Sequence, residues 1–120
     1  MRINFEQLDQ SGKNVQFLEG LFPLEKDQSF SWIWTSKDVN GIVNNVNDIT
    51  IKAFSEIDNI LFYDDSRMKI KSNCLNIIKL NTSGKQEFSF RLEKAFIADN
   101  DDRELGLKIV GILVDGQSIV

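Results

Sequence analysis

The sequence predicts an all-β chain: one antiparallel β-sandwich, jelly-roll-like, with about eight to ten short strands and a single domain over residues 1–120. Three observations carry this expectation. Fourteen Ile, seven Val and nine Phe stand against three Ala, and β-branched and aromatic side chains suit a pleated sheet. Turn residues recur about every ten positions. Between the turns apolar and polar residues alternate, and a period of two sends alternate side chains to opposite faces of a strand. A chain of 120 residues can bury one core without staples, and no linker or internal repeat divides it.

Arg2 to Leu8 reads as the first strand, with Ile3 and Phe5 on one face. Ser11-Gly12-Lys13-Asn14 turns the chain into a second strand containing Val15 and Phe17. Gly20 and Pro23 interrupt the pattern before Ser29 to Thr35, the segment richest in aromatic residues. Asn40-Gly41 is a turn signal, with pairing resumed near Val43 and Val46. Asp48 to Glu56 sets Ile49, Ile51 and Ala53 against Thr50, Lys52 and Phe54. Asn59 to Tyr63 is apolar on both faces, and Asp64-Asp65-Ser66 turns it into a strand through Met68 and Ile70 with one solvated face. Leu75 to Leu80 is apolar apart from Asn76 and Lys79. Thr82-Ser83-Gly84-Lys85 reads as a hairpin loop leading to Phe88, Phe90 and Leu92. Leu105 to Val114 is the last strand, with a bulge or bend expected at Gly111.

Composition excludes several functions. The net charge is −4, from 14 basic and 18 acidic side chains, and nucleic-acid binding requires the neutralisation of phosphates, so no such partner is expected. No apolar run reaches the roughly 20 residues of a spanning helix, so no membrane partner is expected either. The N-terminal stretch lacks the apolar core of a secretory signal. One cysteine, Cys74, rules out an internal disulfide and fits a reducing, cytoplasmic setting. In its apolar segment Cys74 reads as a buried, unreactive thiol. No histidine occurs, which removes the Ser-His and Cys-His pairs and the usual zinc-ligand sets. The chain is expected to be no enzyme and to carry no cofactor.

Two clusters remain as candidates. Phe30, Trp32 and Trp34 alternate with Ser29, Ser31 and Ile33, so a strand turns all three rings to one face. That face is either core or a platform for a sugar ring. Rings alternating with serine read as the inward row at Trp32. Trp34 lies nearer the strand end, and Tyr63, beside the Asp64-Asp65 turn, is a candidate for a wet edge. The carbohydrate-binding candidates are therefore Trp34, Trp32 and Tyr63. The second cluster is Asp99, Asp101, Asp102 and Glu104, four carboxylates within six residues. Asp99, Asp101 and Asp102 form a calcium candidate, but an EF-hand would need a glycine at its sixth position and a glutamate at its twelfth, and both are missing. A solvated loop with aspartates capping the entry to the last strand is the competing reading, and it assigns no metal. Paired carboxylates among Glu25, Asp64, Asp65 and the loop acids suit glycoside hydrolysis only if two face each other across a cleft, and no spacing places them so.

Two stretches carry a family resemblance. Gly20-Leu21-Phe22-Pro23-Leu24-Glu25, followed seven residues later by Trp32, resembles a pattern of Gly, aromatic, spacer, Glu and Trp. Asp101 to Leu107 resembles an Asp-x-Arg-x-Leu-Gly-aliphatic ending, with Asp101, Arg103, Leu105 and Gly106 at its fixed places. Together they resemble the small β-sandwich accessory modules of bacterial glycosyltransferases and methyltransferases that assemble cell-surface polysaccharide. The chain departs from that pattern at Phe22-Pro23 and at Trp34. The resemblance implies a noncatalytic accessory module in surface-polysaccharide biosynthesis, for glycan binding or for assembly. The competing class is a structural or oligomerisation domain with a protein partner or a second copy and no small-molecule ligand. Within the motif, Gly106 is expected to permit close backbone approach, and Arg103 to be held by Glu25 through paired hydrogen bonds.

Overall fold

A computed structural model describes the backbone of residues 3–6 and the whole of residues 12–120. The described chain is all-β. Its strands are β1 (Ile3–Glu6), β2 (Asn14–Leu21), β3 (Glu25–Lys26), β4 (Ser31–Asn44), β5 (Asp48–Phe54), β6 (Asn59–Tyr63), β7 (Ser66–Ile70), β8 (Asn76–Asn81), β9 (Glu87–Leu92), β10 (Lys108–Val114) and β11 (Gln117–Ser118). Every pairing is antiparallel. The main path runs β7-β6-β9-β4-β10-β5-β8, with β2 and β3 on β4, β1 on β2 and β11 on β10. It curls until it is nearly closed into a barrel. The side chains of Ile3 and Phe5 lie outside the described residues.

The 14-residue strand β4 organises the sheet. Its first half pairs with β3 and β10 (Ile33 opposite Ile109), and its second half pairs with β2 and β9 (Val39 opposite Phe90). The partners change around Ser36 and Lys37. One strand thus serves two groups of neighbours, as at the corners where strands switch between layers. The Asn40-Gly41 turn expected from sequence does not form, because both residues lie inside β4. Gly41 is there for space. A Cβ at this position would sit 2.3 Å from the Gln16 carbonyl oxygen and 2.6 Å from the Phe88 ring. That ring in turn packs edge-on against Phe17, with centroids 5.1 Å apart.

Ile49, Ile51 and Ala53 are fully buried, as the alternation in β5 predicts, and Phe88, Phe90 and Leu92 fill the core from β9. Leu107, Ile109, Ile112 and Val114 join them from the C-terminal segment. The bend expected at Gly111 is present: the register between β10 and β5 shifts between Ile109 and Gly111. The strand itself starts at Lys108, and Leu105 forms a separate bridge with Phe96. Thr82 to Lys85 does make a turn, with the Lys85 N–H donating to the Thr82 carbonyl at 2.9 Å. It does not close a hairpin, however. β8 pairs with β5, whereas β9 pairs with β4 and β6, so the loop carries the chain between non-adjacent strands. Thr82 anchors it from within the core, its hydroxyl donating to the Val46 carbonyl at 2.8 Å. Cys74 is exposed in the β7–β8 connection, contrary to the buried reading. Asn76 ties that connection together, accepting the Lys71 N–H at 3.0 Å and donating to the Lys71 and Cys74 carbonyls at 3.0 and 3.1 Å.

Candidate functional site

The aromatic row faces outward. Ile33 and Thr35 are the buried positions of the first half of β4, and Trp32 and Trp34 lie half-buried on the opposite face. Trp32 is therefore not the inward residue that its neighbouring serines suggest. Phe30, just before β4, is 71% exposed. It sits at the end of a tight turn between β3 and β4. The Asp27 N–H donates to the Phe30 carbonyl at 2.9 Å. Asp27 Oδ1 accepts the N–H groups of Ser29 and Phe30 at 2.8 and 2.7 Å. These two bonds hold the Asp27 carboxyl below the usual carboxylate range, with a smaller contribution from the charge of Lys108.

Strand register builds the rest of the face. Trp34 on β4 lies opposite Lys108 on β10, and Lys108 lies opposite Phe54 on β5. The three side chains form a row across three strands. The Lys108 ammonium stands 4.5 Å from the Trp32 ring centroid and 5.8 Å from that of Trp34, a favourable place for a cation. Among the described residues no carboxylate pairs with it. Trp34 also packs edge-on against Phe96, with ring centroids 5.6 Å apart. Beside this row runs a groove of about 450 Å³, within the range of small-ligand sites. Phe30, Trp32, Phe54 and Val110 give it apolar lining, and Asp27, Glu56 and Asn73 bring polar groups. Val110 is the extra residue of the β10 bulge, which turns it to the surface. The Trp32 indole N–H is covered and has no hydrogen-bond partner, a deficit that costs about 1–3 kcal/mol when it stays unmet.

The two stretches that carry the family resemblance meet in space. The Phe22 N–H donates to the Trp34 carbonyl at 2.9 Å, Glu25 lies opposite Trp32, and the Gly106 N–H donates to the Thr35 carbonyl at 2.7 Å. Arg103 joins them, its guanidinium 5.0 Å from the Phe22 ring centroid. Glu25 is within reach, at 3.4 Å from Nη1. The paired hydrogen bonds come instead from Asp101, which accepts from Nε at 3.0 and 3.1 Å and from Nη2 at 2.7 Å. Asp101 also accepts the Arg103 backbone N–H at 2.9 Å. Proximity in sequence explains the correction: a partner two residues away reaches both faces of the fork at less entropic cost than one from another strand.

Engaged in this way, Asp101 does not gather with Asp99 and Asp102. Among the described residues no three acidic or thiol groups converge as metal ligands would. Tyr63 is also placed elsewhere. It is 5% exposed, and its hydroxyl donates to the Asn81 carbonyl at 2.6 Å, so it belongs to the core and not to a wet edge. Of the acids weighed as a pair, Glu25 and the loop acid Asp101 meet at Arg103, which engages both, and Asp64 stands at Lys85. Sequence reading missed Lys108, Asp27 and Glu56. Lys108 had a signal, a single charge opening an otherwise apolar strand, whereas Asp27 and Glu56 sit in turns where acids are ordinary.

This is an all-β antiparallel domain with an outward aromatic groove. No family model, curated protein or solved structure matches the chain. Among the described residues no helix is long and apolar enough to cross a membrane.

Proposed function

We propose that this domain is a noncatalytic carbohydrate-binding module, an accessory part of bacterial surface-polysaccharide biosynthesis working in the cytoplasm. One observation carries the reading: Phe30, the most exposed large apolar side chain described, stands beside Trp32 at a groove that also holds Asp27, Glu56 and Asn73. A sugar ring offers a flat C–H face to an aromatic ring and hydroxyls to carboxylates and amides, and the groove has both. Lys108 already covers one face of Trp32. Phe30 is therefore the open platform, with Trp32 as its floor and Trp34 as a brace behind Lys108. The absence of histidine removes the imidazole acid–base group and favours binding over catalysis. The sandwich and jelly-roll descriptions belong to the same proposal, and β4, shared between two groups of strands, supports them.

Tryptophan fluorescence tests the reading, because Trp32 lies in the groove. Titration with neutral and acidic bacterial oligosaccharides should perturb the emission saturably, and Phe30→Ala should weaken binding by about tenfold or more. A flat response to every sugar overturns it. A specific observation favours the protein-contact alternative: β8 ends the main path of the sheet and exposes Ile77 at 59%. A dimer in light scattering that Ile77→Lys dissociates, with no sugar response, selects that alternative.

A further inference from the structure

Building on the carbohydrate reading, we infer that the groove selects N-acetylated amino sugars over plain, anionic and free-amine sugars. One donor at the groove lacks a partner: the Lys108 ammonium has no acceptor among the described residues. A ligand that brings a neutral acceptor to Lys108 matches this side. Asp27 and Glu56 are acceptors on the same groove. Asp27 uses one oxygen for its own turn and keeps the other open. A ligand N–H or O–H matches this side. Phe54 and Val110, both exposed, add apolar lining that a hydroxyl cannot fill.

An acetamido substituent meets all three demands at once. Its carbonyl accepts from Lys108, its N–H donates to a carboxylate, and its methyl covers apolar surface. Alternatives fail on at least one of these counts. A uronate carboxylate suits Lys108 but faces Asp27 and Glu56, two like charges against one opposite. A free ammonium suits the carboxylates but is repelled by Lys108. An unsubstituted hexose leaves the apolar lining wet and Lys108 with only a hydroxyl. Lys108 is thus the residue that sets specificity, and Phe30 is the residue that supplies the platform.

The experiment compares four trisaccharides by calorimetry or fluorescence: triacetylchitotriose, cellotriose, deacetylated chitotriose and trigalacturonate. The first two share a backbone and differ in the acetamido group. Triacetylchitotriose should bind at least about tenfold more tightly than cellotriose. Lys108→Met keeps the stem against Trp32 and should reduce that preference to a few-fold, while Phe30→Ala weakens every sugar alike. Glu56→Gln, at an exposed position, should raise the affinity for trigalacturonate several-fold and guards against a Lys108 variant that fails to fold. Cellotriose or trigalacturonate binding as tightly as the acetylated sugar overturns the inference and leaves the sugar platform standing. A preference that Lys108→Met leaves undiminished also overturns it. If none of the four binds, the platform reading falls with it.

Discussion

Asp101 accepts three side-chain hydrogen bonds and one backbone hydrogen bond from Arg103, and this contact lowers its pKa to about 2. Because the folded value lies below the unfolded one near 4, the pair stabilises the fold above pH 4. That stability is lost as pH falls from about 4 through about 2. Asp101→Asn should flatten this part of the acid limb of a melting-temperature profile. Glu25→Gln should change it less, since Glu25 touches Arg103 at one atom, 3.4 Å away. A larger effect from Glu25 would reverse the assignment of the principal partner. Gly106 shows the other residue-scale constraint of this corner. A Cβ there would meet the Ser36 carbonyl oxygen at 2.7 Å and a Leu92 methyl at 2.4 Å. The close approach expected from the Leu-Gly motif is thus a packing requirement on the chain facing Thr35.

At the scale of elements, β4 holds the site by what it buries. Thr35 is fully buried; its N–H donates to the Leu107 carbonyl at 2.8 Å, and its hydroxyl accepts the Leu107 N–H at 2.9 Å. These bonds tie β4 to the segment entering β10, and so set Trp34 opposite Lys108. Thr35→Val keeps the volume but leaves a buried N–H without a partner. It should cost about 1–3 kcal/mol, read as a lower chemical-denaturation midpoint, while Thr35→Ser should cost less. Equal losses in both variants would assign the effect to the missing methyl. The same strand shows where sequence reading stopped. Alternation in β4 separated Trp32 and Trp34 from Ile33, but the row with Ile33 also holds Ser29, Ser31 and Thr35, so polarity pointed the rings inward. In β5 and β9 the opposite row is mostly polar, and the burial of Ile49, Ile51, Phe88 and Phe90 follows the alternation. Asn40-Gly41 misled because it is locally a turn signal, whereas the requirement met by Gly41 comes from Gln16 and Phe88, remote in sequence.

For the whole molecule, Tyr63 links the two ends of the sheet path: it sits on β6 beside the edge strand β7, and its hydroxyl donates to the Asn81 carbonyl at the end of β8. Burial raises its pKa, and the neighbouring Asp64 adds to the shift. With the folded value raised, the stabilisation is complete below pH 10 and is lost as pH rises through the folded value. Tyr63→Phe should lower stability by about 1 kcal/mol at neutral pH and flatten the alkaline limb of the melting profile. An unchanged alkaline limb would place that titration elsewhere; Lys85, whose pKa is raised by its hydrogen bond to Asp64, is the other group there. The sequence by itself determined the all-β class, the antiparallel habit, the alternating rows of β5 and β9 and the exclusion of imidazole chemistry, because composition and a period of two are local properties. Only the tertiary structure decided which face of β4 is outward, that Arg103 pairs first with Asp101, that β8 and β9 part company, and that Lys108, Asp27 and Phe30 share one groove. Each of these depends on which distant strand pairs with which, and strand partners are chosen by the burial of the whole chain at once.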